Sequence, residues 1–530
     1  MQEQINRRGF LKGTATIAGA AALAGMSFQR AEAIPLSAFE DNWDFQTDVL
    51  IVGAGGAGLV AAITAREAGA EVTVLEAGPA VGGTTAVSGG MLQAAGTEAQ
   101  RASGVISDNT KTHYEYFIQA GDGLVDPELT QVLVDNCSEN LKWLGKLGLE
   151  FERVMTDTVI PTMDDGLLVP RIHMLKGDSE EEPIGTGKNH IRKMYRKAKE
   201  LGVRFMLETP AVALIEDAPR GVVGVQARGE KGKINGWARK GVILTSGGYD
   251  HNKEMARTFS AQQLWALETG VCYSAPTNRG DGIRMAMAVG ADLANMGAVV
   301  GLANNGIGIG PLMPGQTVVP GAWVNKYGQR FVNESGHYSF VLNSVFAQED
   351  HIAWAIFDEK VKQMGGKVLG GDLEEFSDDL GKEIAEGTIV KADTYQELAK
   401  ALGINAEQFE MTMDKYNRDM ARGEDTLFHK TIGVEALDNP PFYAIRIKEV
   451  SLGACGGIRI NKHSQAIDTN GKPIPGLYAA GMTAGGVSGP IYPGSGTALA
   501  TNVCFGRIAG TQVAANTSRE ALSAFKNNAG

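Results

Sequence analysis

Gly53, Gly55 and Gly58 fall in G-x-G-x-x-G spacing within residues 48–58, DVLIVGAGGAG. The chemistry of that spacing is phosphate binding. The first glycine permits a tight turn, the second lets backbone approach a pyrophosphate, and the third lets a helix lie close on the preceding strand. An acid follows at Glu76, where a ribose-binding carboxylate belongs in a dinucleotide site. The next glycine cluster, residues 82–90, carries Thr84, Thr85 and Ser88. Their hydroxyls, in a backbone this small, suit a chain that wraps a flat or charged ligand.

Those residues need elements to hold them. Residues 48–52 are apolar and rich in β-branched side chains, which predicts a buried strand. Residues 59–68 supply a helix whose first N–H groups face the phosphates, and 71–75 a second strand. Farther on, 126–147 reads as a helix capped by Asp126 with Pro127 in its first turn. Residues 191–202 form another helix. Short strand patterns at 203–206, 211–216, 222–228 and 240–246 return to the first sheet, the last running into Gly247 and Gly248. Composition shifts near Val271. Residues 278–282 lead into a helix at 283–289. Residues 298–321 are glycine-rich with few charges and suit a pocket wall or lid. Residues 323–334 read as two short β segments around Tyr327-Gly328, and 350–425 as amphipathic helical stretches with solvated acidic faces. The cofactor pattern returns at 474–481, a strand entering a tight turn, and 494–510 begins a further helix. A cofactor fold split by an inserted domain follows from that order.

The chain of 530 residues has room for more than one domain. Its formal net charge of -12 and the lack of a basic aromatic patch argue against a nucleic-acid partner. Its 69 glycines show no collagen period and are read as turns and close ligand contacts. Cys137, Cys272, Cys455 and Cys504 are widely spaced, with no C-x-x-C, so neither covalent haem nor a thiolate iron–sulfur site is encoded. The histidines lack metal-ligand spacing, and no metal site is expected. Asn6-Arg7-Arg8-Gly9-Phe10-Leu11-Lys12, a weakly apolar stretch at 13–25 and Ala31-Glu32-Ala33 match a twin-arginine export signal with its cleavage site. The expectation is export of the folded protein to the periplasm or another extracytoplasmic space. No integral membrane domain is expected.

The two ends together, with Gly328–Glu334 between them, resemble the FAD-dependent family of fumarate reductases and 3-ketosteroid dehydrogenases. The resemblance implies an α/β fold: a split Rossmann-like FAD-binding domain with an inserted α+β substrate-capping domain. The expected boundaries are an export signal at 1–33, the first part of the FAD domain at 34–270, the cap at 271–430, and the second FAD part at 431–530. FAD is the implied cofactor. The set expected to bind it is Gly53, Gly55, Gly56, Gly58, Glu76, Gly83, Thr84, Thr85, Ser88, Gly89, Gly90, Val212, Gly247, Gly481, Ser495, Ala498 and Leu499.

Departures from the fumarate-reducing pattern point to a branch. Where that pattern has a proton-donating arginine after F-V-N-E, this chain has Tyr338. No histidine precedes Gly456-Gly457, Tyr492 replaces a carboxylate-gripping arginine, and Met482 stands where an FAD-contacting glutamate belongs. Instead, residues 333–338 resemble the N-E-S-x-x-Y motif of 3-ketosteroid dehydrogenases, and 492–496 their Y-P-G-x-G motif. The resemblance implies that Tyr338 is the catalytic acid or base. Tyr492 hydroxyl and Gly496 amide would bind a ketone oxygen, and Tyr114 or Tyr116 would assist. The implied reaction is dehydrogenation or reduction of a C–C bond next to the carbonyl of a hydrophobic cyclic ketone. A quinone or separate redox protein would be the electron partner. Two other readings stand beside it: reduction of a non-steroidal α,β-unsaturated acid held by Arg279, Arg330 or Arg459, and an exported flavin electron-relay protein.

Overall fold

The computed structural model describes residues 32–38, 43–178, 185–218, 220–304, 319–364, 377 and 379–519. The export segment up to residue 31 and the centre of the expected pocket wall, residues 305–318, lie outside these.

β1 (Phe45–Val52), α1 (Gly56–Glu67) and β2 (Val72–Leu75) form the predicted strand–turn–helix–strand unit. The last four residues of β1 and all of β2 are buried, as a strand covered on both faces requires. β3 (Arg204–Met206) extends the sheet beyond β2, and β4 (Gly232–Leu244) and β5 (Pro473–Ala479) extend it beyond β1. All five run parallel, in the order β3-β2-β1-β4-β5. β4 is longer than its pattern suggested because it serves three partners. Its first half pairs antiparallel with Gly221–Gly229 and its second half joins the parallel sheet, with a register shift between Ala238 and Gly241.

The C-terminal helix α2 (Thr497–Ala515) lies directly on α1. Gly506 and Gly510 allow the approach: a Cβ on either would stand 2.9 Å from Ala57 O or 2.6 Å from Ala61 O. One apolar core therefore joins residues from both ends of the chain.

A second core lies in the inserted unit, around an antiparallel sheet ordered Ala322–Asn325, Ala353–Asp358, Phe442–Arg446, Ile389–Ala392. The boundary expected at 430 thus falls inside this unit, since Phe442–Arg446 is one of its central strands. The second β segment expected near 330–334 is also absent. Arg330 makes a single bridge to Val324, and the chain then turns inward. The reason is a buried quartet of charges. Glu334 accepts hydrogen bonds from Arg330 Nε at 2.8 Å, Arg330 NH2 at 2.9 Å and Trp323 N at 3.0 Å. Asp425 accepts from the same guanidinium at 2.8 and 3.1 Å, and Lys430 Nζ lies 3.7 Å from Glu334.

Removing one member would leave buried charge unpaired, which costs about 3–5 kcal/mol. Glu334→Ala should lower stability by that order in urea unfolding. Burial works to raise the Asp425 carboxyl, but hydrogen bonds and charge from Arg330 hold it down at about 2. A depressed carboxylate stabilises the fold above its ordinary pKa of about 4, and that stability is lost as pH falls through the folded value. Calorimetry should show the unfolding midpoint dropping steeply across that acid window, and less steeply in Asp425→Asn.

Candidate active site

The turn between β1 and α1 is built by contact. Gly53 has φ +103°, and a Cβ there would lie 2.4 Å from Thr245 O; one on Gly58 would lie 2.0 Å from Gly53 O. Gly55 differs. Its φ of -77° suits any residue, and a Cβ there would meet only Gly82 O, at 3.8 Å. No atom of the described residues demands a glycine at Gly55, so the space it leaves fits a ligand. α1 starts on Gly55 with no side-chain cap, which leaves its first amides for an anion. They border a cavity floored by Glu76, whose two oxygens accept from Ala54 N and Gly78 N, each at 2.7 Å. Burial pushes this carboxyl above its ordinary range against those amides. Each oxygen keeps acceptor capacity for a ribose hydroxyl.

Gly53, Gly55, Gly56, Glu76, Gly83, Thr84, Thr85, Gly247 and Gly481 line this one cavity, and Met482 borders it too. Gly58 lies beneath it. Val212 sits in a strand bulge next to Ala211, which lines the cavity. Ser88 donates to Thr85 O at 2.8 Å and closes a local turn. Gly89 and Gly90 stand farther along. A Cβ on Gly90 would lie 2.5 Å from Thr186 C, at the start of helix Gly187–Glu200. Several lining residues escaped the sequence reading. Asn278 donates to Thr84 Oγ1 at 2.9 Å and to buried Asp250 at 2.7 Å, and Asn502 projects from α2 beside Thr85. The polar Asn278–Asp281 turn was the available signal for the first; nothing in the pattern of α2 singles out Asn502.

A second cluster adjoins the cavity through Met482. Tyr338, at the start of helix Tyr338–Phe346, and Tyr492 are both buried among Ala298, Val300 and Cys455. Tyr492 Oη accepts Ala498 N–H at 2.7 Å, so its own hydrogen remains to donate. Ser495 shares a side-chain hydrogen bond with Tyr338. Ser495 and Ala498, expected at the cofactor, thus meet the tyrosines, because α2 begins between them. Leu499 packs in the main core. Gly496 caps α2 at φ +92°. Both upstream tyrosines pack in or on the main core, but it is the Oη of Tyr116 that reaches this site, donating to Pro493 O at 2.7 Å. Burial holds the phenols of Tyr338, Tyr492 and Tyr116 above the ordinary range. Asp157 adds to this for all three, second in weight for Tyr338 and Tyr116.

The model of the FAD binding domain matches residues 48–499. The chain belongs to that family. It is an FAD-dependent oxidoreductase acting on C=C bonds. It is 30% identical over 471 residues to "Probable fumarate reductase Ifc3" of Shewanella frigidimarina, covering 88% of this chain and 75% of that one. It is 28% identical to the digoxin reductase of Eggerthella lenta, covering 97% and 98%. Its fold is similar to that of 3-ketosteroid-Δ4-(5α)-dehydrogenase from Rhodococcus jostii RHA1, solved with 4-androstene-3,17-dione. There the TM-score is 0.76 and the identity 26%, over 91% of this chain and 99% of that one.

Within this FAD-binding fold, each of the three arginines considered for a carboxylate site has a partner. Arg330 is committed to Glu334 and Asp425, Arg459 pairs at the surface with Asp292 at 3.2 Å, and Arg279 Nε donates to Pro276 O. Arg171 lies 5.0 Å over the Tyr116 ring, but it is held by Asp108 and Leu167 O.

The two glycines predict different failures. Gly55→Ala should leave the melting temperature of flavin-free protein unchanged while the flavin-to-protein absorbance ratio falls severalfold. Gly58→Ala should lower both. A flavin-replete Gly55→Ala protein would remove the diphosphate from this turn.

Proposed function

We propose that the protein moves hydrogen across a C–C bond next to the carbonyl of an apolar cyclic ketone, with 3-ketosteroids as the leading substrate class. The observation that carries this reading is the pair Tyr338 and Tyr492, buried in one apolar cluster beside the cofactor cavity. Among the described residues, Arg330 is committed to Glu334 and Asp425, Arg459 to Asp292 and Arg171 to Asp108. An uncharged, apolar ring system suits such walls.

When bound, FAD supplies the hydride exchange. Tyr492 holds the ketone oxygen through its hydroxyl, polarised by the Ala498 amide, and Gly496 stands next to it at the helix cap. Hydrogen bonds to that oxygen stabilise negative charge as it develops during transfer at the adjacent carbon. Tyr338 carries the second hydrogen as a proton at its Oη. Burial keeps water from competing for that proton. A relative that reduces digoxin and a solved neighbour complexed with a 3-ketosteroid support this reading.

The reading includes export by the twin-arginine route. Outside the cytosol a membrane quinone or a separate redox protein fits as electron partner. No described helix is long and apolar enough to cross a membrane.

Oxidised, FAD-loaded protein mixed anaerobically with saturated 3-ketosteroids should bleach, or reduced protein should be reoxidised by the corresponding enones. Silence in both directions rejects the substrate class. Tyr338→Phe should retain flavin and ligand binding yet lose about 100-fold or more in turnover, the usual scale for a general acid or base. Tyr492→Phe should instead weaken ligand binding as well as turnover.

A further inference from the structure

Asp157 and His337 form a buried pair that the reaction above does not use. His337 is fully buried at the cap of helix Tyr338–Phe346. Its ring stacks on Tyr338, with centroids 4.4 Å apart and planes at 27°. Among the described residues neither ring nitrogen has a hydrogen-bond partner, although Nε2 stands 3.5 Å from Asp157 Oδ2. The Asp157 side chain is only 4% exposed. Its carboxylate is fixed by Ser495 N–H at 3.1 Å and by Thr158 N–H at 2.9 Å. Gly494 leaves room for it: a Cβ at that position would lie 2.4 Å from Asp157 Oδ2.

A buried carboxylate with no cation is costly, and so is a buried imidazole with two idle nitrogens. One proton on the imidazole relieves both. The other ionisable groups around the pair are Tyr116, Tyr338, Tyr492 and Cys455, together with Arg171, which Asp108 already neutralises.

We infer that Asp157 and His337 share a proton that tunes Tyr338, Asp157 holding the imidazole charged and the imidazole screening that carboxylate from the tyrosine. Both are positioning residues. With the imidazole charged, the phenolate that Tyr338 must pass through faces a stacked cation. With it neutral, the phenolate faces a bare carboxylate at low dielectric and is penalised. In reduction, FAD already reduced by the redox partner would supply the hydride and Tyr338 the proton that together saturate the C=C bond, and Tyr338 would regain its proton from solvent. Oxidation runs the same exchange backwards.

The inference rests on Tyr338 as the proton-transfer group, and its sign pattern separates it from a structural role. His337→Gln leaves the carboxylate uncompensated, so single-turnover reduction of a 3-keto enone should fall about 100-fold, with the enone dissociation constant unchanged. Removing the carboxylate as well, in Asp157→Asn/His337→Gln, should recover part of that loss. A packing defect would deepen it. A substrate-free measurement gives the same order: ultraviolet tyrosinate titration of the FAD-loaded proteins. His337→Gln should ionise its buried tyrosine at higher pH than the double variant, and adding Tyr338→Phe should abolish the difference. A double variant no better than His337→Gln in both measurements overturns the inference. If the titration orders as stated but no ketone or enone reacts, the pairing stands and the substrate reading fails.

Discussion

The glycine turn and the loop that carries Tyr492 both depend on how closely α2 approaches α1. Gly506 and Gly510 bring the backbone of the last helix onto that of the first, so segments more than 400 residues apart enclose one cavity. The start of α2 is fixed by the same contact, and with it the loop that presents Tyr492. A side chain at either glycine would lift α2 and move the tyrosine relative to the diphosphate turn. The cofactor turn and the tyrosine loop therefore answer to one helix contact.

The inserted unit delivers the other tyrosine by a different force. Arg330, Glu334, Asp425 and Lys430 balance two positive and two negative charges inside the cap. Their bonds turn the chain inward after Arg330 and aim helix Tyr338–Phe346 at the junction. An apolar cap core could support the same helix, but oriented hydrogen bonds fix its start more narrowly than contact alone. Tyr338 thus arrives at the start of a helix rather than on a loop.

The sequence reading was strongest where backbone geometry forces residue choice. Gly53 and Gly58 could be read because no larger residue fits, and Glu76 because one helix and one strand set its place beside that turn. Residue pattern also announced the helix at Pro127–Lys146, where Asp126 accepts from the amides of Glu128 and Leu129. Long-range partners could not be read. Asp157 lies in an irregular segment with no periodicity, and only folding sets it against His337. Asn278 and Asn502 belong to ordinary local patterns and gain meaning from meeting Thr84 and Thr85. The failed strand after Tyr327-Gly328 has the same cause: Asp425 and Lys430, some 90 residues on, override a local β preference. The choice between Tyr114 and Tyr116 likewise needed the position of Pro493.

Among the described residues, Leu302, Leu452, Met482 and Ala498, all half-buried and apolar, also pack around Tyr338 and Tyr492. A surface of that kind discriminates by shape, and a methylene more or less changes the fit by only about 1–3 kcal/mol. Methionine adapts further, because its unbranched chain refills gaps at little cost. Selectivity would then be graded rather than absolute. Related ring systems would compete for one enzyme, and their relative abundance, as much as their structure, would decide which is processed.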